Sequence, residues 1–275
     1  MYECKECGYK TENIANGTDC PICNKPMEET GKKKKAKNVF SVKSILITAL
    51  AIVVGKFAGG YLADMMMKDK TTDEIKSDMD SFIEQTEKYV PGKTTANGYE
   101  SDYWGITFTP DENWIEMESY DLAEVDREMS ASVKASAVSA VEQAGMDKEF
   151  VKKYKETMFC EVEAGYYGVA DDIVVGELLI ASYSGYTGGQ HRMVVDESLT
   201  QLENELKDAK RGKAYFDNKA YDYVDGVLTE DDDMTIRVRA YMKTQGVMIN
   251  VIRLDYIEGY EEIVESFENL VVQKN

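Results

Sequence analysis

Residues 39–63 read VFSVKSILITALAIVVGKFAGGYLA, and this run constrains everything else the chain can fold into. A helix of that length is about 38 Å long, enough to cross a hydrocarbon layer about 30 Å thick. Twelve of its residues are Leu, Ile, Val or Phe, and together they favour insertion by roughly 4–7 kcal/mol. Lys43 and Lys56 oppose insertion, each by about 2.5–3.5 kcal/mol if it were central, and neither is. Thirteen residues apart, they stand about 20 Å from each other along the axis, and each side chain can reach about 5 Å further towards its own interface. A buried helix of a water-soluble domain would have to hold the same two lysines away from water. We therefore expect one transmembrane helix over 39–63.

Charge divides along the same line. Residues 29–38 include KKKKAK and form a basic juxtamembrane linker, whereas residues 64–275 carry 22 Lys/Arg against 45 Asp/Glu in a chain of net charge −19. The positive-inside rule then places the amino terminus in the cytoplasm and the carboxy-terminal domain outside the cell membrane. A cleavable secretory signal is not expected, because a cysteine module precedes the apolar run and no small-residue cleavage site follows it. So acidic an outer portion repels phosphate and argues against nucleic acid as a partner. Within the run, Ala51, Gly55, Gly59 and Ala63 recur every four residues and line one helical stripe. Such a stripe lets two helices approach closely, so a weak homodimer through it is a further expectation, against the plain alternative that small residues are common in membrane helices.

Four of the five cysteines fall in the first 23 residues. Cys4-x2-Cys7 and Cys20-x2-Cys23 are two tight turns whose thiolates can converge on one tetrahedral ion, each sulfur about 2.3 Å from it. A disulfide scaffold would spread its cysteines through the domain it staples. Residues 1–28 are too few to bury a sufficient core, so a bound metal is expected to supply their folding free energy. The knuckles, with CGY after the first and CPIC at the second, resemble zinc-ribbon modules of bacterial membrane proteins. They also resemble the rubredoxin-like module of rubrerythrins, which binds iron. The iron reading would want a helix bundle with Glu-x-x-His motifs; this chain has one histidine, His191, and none of those motifs. Zn2+ held by Cys4, Cys7, Cys20 and Cys23 is the first expectation, and a membrane-anchored iron electron carrier is the alternative.

Residues 64–97 read as a membrane-proximal helix and linker. Thr71 and Glu74 are placed as a capping box, Ile75, Met79, Phe82, Thr86 and Val90 line one face, and Pro91-Gly92 stops the helix. Residues 98–275 mix the two periodicities. YWGITFTPDENWIEMES reads as a hairpin turning at 110–113. A helix over 121–144 directs Leu122, Val125, Met129, Val133 and Val141 inward and stops at Gly145. Strands follow at 156–164 and 173–183, then a helix over 191–209 with Val194, Leu199, Leu202 and Leu206. Three alternating strands and a closing helix, YEEIVESFENLV, complete the chain. The expected fold class is multi-domain: a ribbon, one membrane helix, and an α+β sandwich of antiparallel sheet with helices.

YWGITFTPDENW, the helix after it, the strand series NKAYDYV…MTIRVRAYMKTQGVMINVIRL and the terminal IVESFENLV are similar to the PsbP-like fold, as found in envelope proteins of Gram-positive bacteria. The likeness covers roughly 98–273. It implies a domain that binds partners and is not an enzyme, and it assigns no functional residue here. The residues themselves point the same way. The lone His191 sits in GYTGGQHR, which lacks the Lys-Ser/Thr of a phosphate loop. Cys160 in a strand-like MFCEVEAG reads as a small core residue. EDDD at 230–233 reads as a charged hairpin tip, without the spacing of a calcium loop. The expected function is a single-pass binding protein of the bacterial envelope, with an unidentified protein or small molecule as the ligand of its outer domain.

Overall fold

The computed structural model of the protein describes residues 2–3, 10–11, 28–29, 72–143, 146–184, 191–216, 218–230 and 234–273. The expected span 39–63, its stripe and lysines, the basic run and the four amino-terminal cysteines lie outside these residues. Among the described residues no helix is long and apolar enough to cross a membrane. At the amino terminus three short strands, β1 (Tyr2–Glu3), β2 (Lys10–Thr11) and β3 (Glu28–Glu29), pair antiparallel with β1 in the middle.

The first described helix, α1 (Thr72–Glu87), buries Met79, Phe82 and Thr86 as its spacing predicts. Val90 departs from the expectation and is 66% exposed. The helix has already ended, so the four-residue repeat no longer applies and Tyr89 turns inward instead. Thr71, the expected cap, is outside the described residues.

The chain then forms β4 (Lys93–Thr95), β5 (Gly98–Ser101), β6 (Ile106–Phe108) and β7 (Trp114–Glu116). Here the expected hairpin is wrong. Phe108 pairs with Tyr99 of β5, whereas Trp114 pairs with Gly168 in a different sheet. The segment 109–113 is therefore a crossing between two sheets, and a turn-rich sequence between two strands reads the same for both. Helix α2 (Ser119–Gln143) buries Met129 and half-buries Leu122 and Val125; Gly145 is not described. Helix α3 (Lys148–Thr157) has no counterpart in the sequence reading. Its signals are an Asp147 side chain that accepts from the Phe150 amide at 2.9 Å, and Phe150 and Tyr154 buried four residues apart.

Strands β8 (Cys160–Ala170) and β9 (Ile173–Ser184) form a hairpin, and helix α4 (His191–Glu205) follows with Val194, Leu199 and Leu202 buried. Leu206 is buried just beyond its end. The lysine-rich β10 (Lys207–Phe216) is also absent from the sequence reading; its charges suit an edge strand, which is where it lies. Strands β11 (Lys219–Glu230), β12 (Thr235–Gln245) and β13 (Met248–Ile257), helix α5 (Glu262–Leu270) and β14 (Val271–Gln273) complete the fold.

The result is an α+β fold of antiparallel sheets with five helices among the described residues. The large sheet runs β10-β11-β12-β13-β9-β8-β7 and the smaller one β14-β6-β5-β4. Strand alternation puts neighbouring residues on opposite faces, so the packing of two adjacent residues fixes the layers. Gly165 lies under Met117 and Leu122 beside α2, and Tyr166 meets Phe108 of the small sheet at 5.0 Å between ring centroids. Likewise Gly226 lies under Leu206 at the end of α4, while Tyr241 packs on Phe267 of α5. Helices α2 and α4 thus cover one face of the large sheet, and the small sheet with α5 covers the other. The central strand β13 is buried on both faces from Met248 to Tyr256.

Candidate functional site

The two sheets leave a cleft of about 760 Å3 at one end, between the β4–β5 turn, the 109–113 crossing, β7 and the β8–β9 turn. Each wall is held by local chemistry. In the β4–β5 turn the Thr95 hydroxyl donates to the Gly98 carbonyl at 3.1 Å and accepts the Asn97 amide at 3.2 Å. Gly98 has φ 118°, and a Cβ there would overlap the Phe108 carbonyl and Pro110, so the turn and the crossing approach closely only because this residue is glycine. In the crossing, Asp111 Oδ1 accepts the Asn113 amide at 2.9 Å, and the Asn113 carbonyl accepts the Val169 amide at 2.7 Å. The two-residue β8–β9 turn puts Asp171 and Asp172 at φ 51° and 63°, the left-handed region such a turn requires.

These supports bring Glu112, Glu116, Asp171 and Asp172 to the cleft wall, with Trp114 and Tyr166 supplying aromatic surface. Among the described residues no Lys, Arg or His lines it. Tyr166 stands directly opposite Glu116 in the β7–β8 register. Burial, then the Glu116 carboxylate, push the Tyr166 hydroxyl well above its ordinary range. The hydroxyl oxygen itself is enclosed, with the Thr94 side chain beside it opposing the shift.

Next to the cleft, Glu163 ties the small sheet and α1 to the large sheet. A bulge between Val162 and Ala164 re-aims this residue in β8. Its carboxylate accepts from the Tyr89 hydroxyl, from the Tyr99 hydroxyl at 2.5 Å and from the Gly92 amide at 2.8 Å. Trp104 extends the network by donating to Ser182 at 2.9 Å and Tyr89 at 3.2 Å.

Two further charged clusters are structural. Asp225 accepts from Arg237, Arg239 and Tyr256, and Glu268 of α5 accepts from Arg239 at 3.1 Å and Tyr241 at 2.7 Å, which clamps α5 to the sheet. On the helix-covered face, Arg253 makes a buried two-pronged pair with Asp255 at 2.7 and 2.8 Å. Burial, reinforced by Asp255 and opposed by Arg253, pushes the nearby Glu177 carboxyl up to about 8.

Of the residues singled out in the sequence, Cys4, Cys7, Cys20 and Cys23 are not described, and among the described residues no group of three His, Cys, Asp or Glu could hold a metal ion. Cys160 is buried and free, and burial pushes its thiol up to about 12, as suits a core residue. His191 opens α4. Residues 231–233 of the acidic run lie outside the described residues; Glu230 before them pairs with Thr235 after them. The sequence reading missed the cleft altogether. PDENW and ADDI are each legible as acidic turns, but only the sheet pairing brings them together.

Neither a family model nor a curated protein matches the chain. Among solved structures, the crystal structure of the extracellular domain of PknH from Mycobacterium tuberculosis is matched at 10% identity and a TM-score of 0.20, over 40% of this chain and 62% of that one. The chain thus spans less than two thirds of that solved structure.

Proposed function

We propose that the chain is a single-pass, membrane-anchored binding protein of the bacterial envelope. In this reading residues 1–28 are a cytoplasmic zinc ribbon, residues 39–63 cross the membrane, and the acidic outer domain is PsbP-like and takes a ligand in its cleft. The cleft is the observation that carries the binding role. It is large enough for a small organic molecule, and its walls are fixed by turns from both sheets. Binding is favoured over catalysis because the groups that converge there are carboxylates and a phenol, while the one described thiol lies buried in the core.

The experiment is a ligand screen by thermal shift on the full chain in nonionic detergent, with Ala96→Trp as the comparison. Ala96 is exposed on the cleft wall, so a large ring there fills the space without entering the core. We expect at least one small polar compound to raise the melting temperature of the parent and to have no effect on the variant. Compounds that act equally on both, or none that acts at all, overturn the reading.

A further inference from the structure

We propose that helix α1 and the cleft are coupled: an occupant that orders the β4–β5 turn seats α1 more firmly on the domain, and unseating α1 loosens the cleft wall. The inference rests on the cleft being the binding site and adds how that site is regulated. The two ends of the coupling meet at one carboxylate. Glu163 is 6% exposed, and its Oε1 accepts from Tyr89, just beyond α1, while its Oε2 accepts from both the Gly92 amide and the Tyr99 hydroxyl of β5. Gly92 also lies so close to Tyr99 that a Cβ there would meet the ring at 2.5 Å. The segment leaving α1 therefore keeps its place only while Tyr99 keeps its own.

Tyr99 is one residue from the cleft. Gly98 beside it lines the cleft and packs against the Phe108 carbonyl and Pro110. The β4–β5 ladder consists of three residue pairs, and β4 has no other strand partner among the described residues. A hairpin this short does not hold itself. What orders it is Glu163 on one side, and the two Thr95 hydroxyl bonds with the Gly98 packing on the other. Contacts that depend on each other in this way open and close as one unit. A ligand seated against Thr95, Ala96 and Gly98 binds that unit only when it is closed, so it stabilises whatever closes with it, α1 included. By linkage, firm seating of α1 strengthens binding by the same factor.

At its other end α1 is poised rather than locked. Met79 and Phe82 bury its apolar face, but the Thr86 hydroxyl is enclosed with no hydrogen-bond partner among the described residues. The seated helix bears that desolvation cost, and a released one recovers it in water. The Asp80–Lys153 ion pair to α3 is exposed on both sides and adds little. In the proposed topology α1 stands between the membrane span and the domain, so its seating is what an occupied cleft changes at the membrane end.

Hydrogen exchange read by mass spectrometry, on the full chain in nonionic detergent, tests this with Thr95→Val. The variant keeps the branched shape, removes the hydroxyl that ties the turn, and changes no bond of Glu163 or α1. Amides of residues 79–92 should exchange about threefold faster or more, with those of β12 and β13 unchanged. Tyr99→Phe cuts the cleft wall from Glu163 while Tyr89 and Gly92 keep their bonds. In that background Thr95→Val should have no further effect on α1. Thr86→Val reads the reverse direction: it removes the unpartnered hydroxyl and should slow exchange at 94–98 as well as in α1. The proposal is overturned if α1 ignores Thr95→Val, if exchange rises equally across the domain, or if the two effects simply add in the double variant. A Thr86→Val effect confined to α1 overturns it too, and decides the matter if Tyr99→Phe melts early. If these exchange results hold and the ligand screen fails, the coupling stands and the binding role falls. If the screen succeeds while α1 ignores Thr95→Val, the binding cleft stands and the coupling falls.

Discussion

The Glu163 carboxylate holds the Gly92 amide at 2.8 Å across 71 residues of sequence. Tyr89, the last aromatic residue before the small sheet, and Tyr99 of β5 donate to the same carboxylate. The residues that follow α1 are thus fastened to the centre of the domain by one buried acid. The β4–β5 hairpin that receives this fastening also lines the cleft, at Thr95 and Gly98. Cleft wall and α1 therefore share a support.

Glu163→Ala should release α1. It leaves two buried hydroxyls and a half-buried amide without this acceptor, a loss of about 3 kcal/mol. The expected result is a lower urea midpoint and faster amide exchange at Tyr89 and Gly92, with the β12–β13 amides far less affected. Unchanged exchange at Gly92 would show that packing of Met79 and Phe82 alone holds the helix.

Glu177 gives the stability a pH dependence of predictable sign. Its folded value, pushed up to about 8 mainly by burial, lies above the ordinary value of 4.5. Folding therefore takes up a proton between those limits, and the stability of the neutral form is full below the lower value and lost as pH rises through about 8. The loss is on the order of a few kcal/mol. Glu177→Gln, uncharged throughout, should flatten the fall in urea midpoint between pH 5.5 and 8.5 and unfold less readily than the parent at the alkaline end. A variant that falls as steeply as the parent would place the titrating group elsewhere.

These two acids also show what the sequence could and could not reveal. The buried faces of α1 and α4 follow from helical spacing, and β11 to β13 from alternation, because local periodicity alone decides them. Glu163 and Glu177 look like any other carboxylates in strands that alternate. What distinguishes the first is a bulge in β8, and what distinguishes the second is that β9 is an interior strand beside β13, covered on both faces. Both are properties of strand pairing. The same holds for Phe108 and Trp114, whose five-residue separation suits a hairpin but whose strands join different sheets. Helix α3 was legible, in Asp147 and the Phe150/Tyr154 pair, and β10 was hidden because an edge strand needs few apolar residues. The cleft acids became a site only when two distant turns met.

The proposed topology has a direct consequence for proteolysis. With KKKKAK cytoplasmic and residues 64–275 outside, protease added to intact spheroplasts should destroy peptides containing Trp104 and Trp114 and leave those of residues 1–28. Both tryptophans are buried, so cleavage should begin at exposed turns such as 96–97 and 111–113, and denaturing the domain first should accelerate it. Protection of the Trp104 and Trp114 peptides until the membrane is permeabilised would reverse the orientation.

The amino-terminal module should depend on its metal alone. Strand β1 pairs with both β2 and β3 through only two residues each, too little structure to persist without a cross-link. In the proposed reading the four cysteines of the two C-x2-C pairs would supply that cross-link, since their number and spacing suit tetrahedral Zn2+. Cys20→Ser removes one ligand, so the full chain should lose its stoichiometric zinc and residues 1–28 should become protease-sensitive. The melting transition of the outer domain should stay where it is, because among the described residues its core, from Met79 to Val271, contains no residue of the module. Metal analysis and a thermal melt of the parent and variant give both readings. Stoichiometric iron in the parent would replace the structural role with an electron-transfer one. A variant that retains its zinc would remove Cys20 from the ligand set. A shifted outer-domain melt would mean that the two ends of the chain are energetically coupled, which separate folding of ribbon and outer domain forbids.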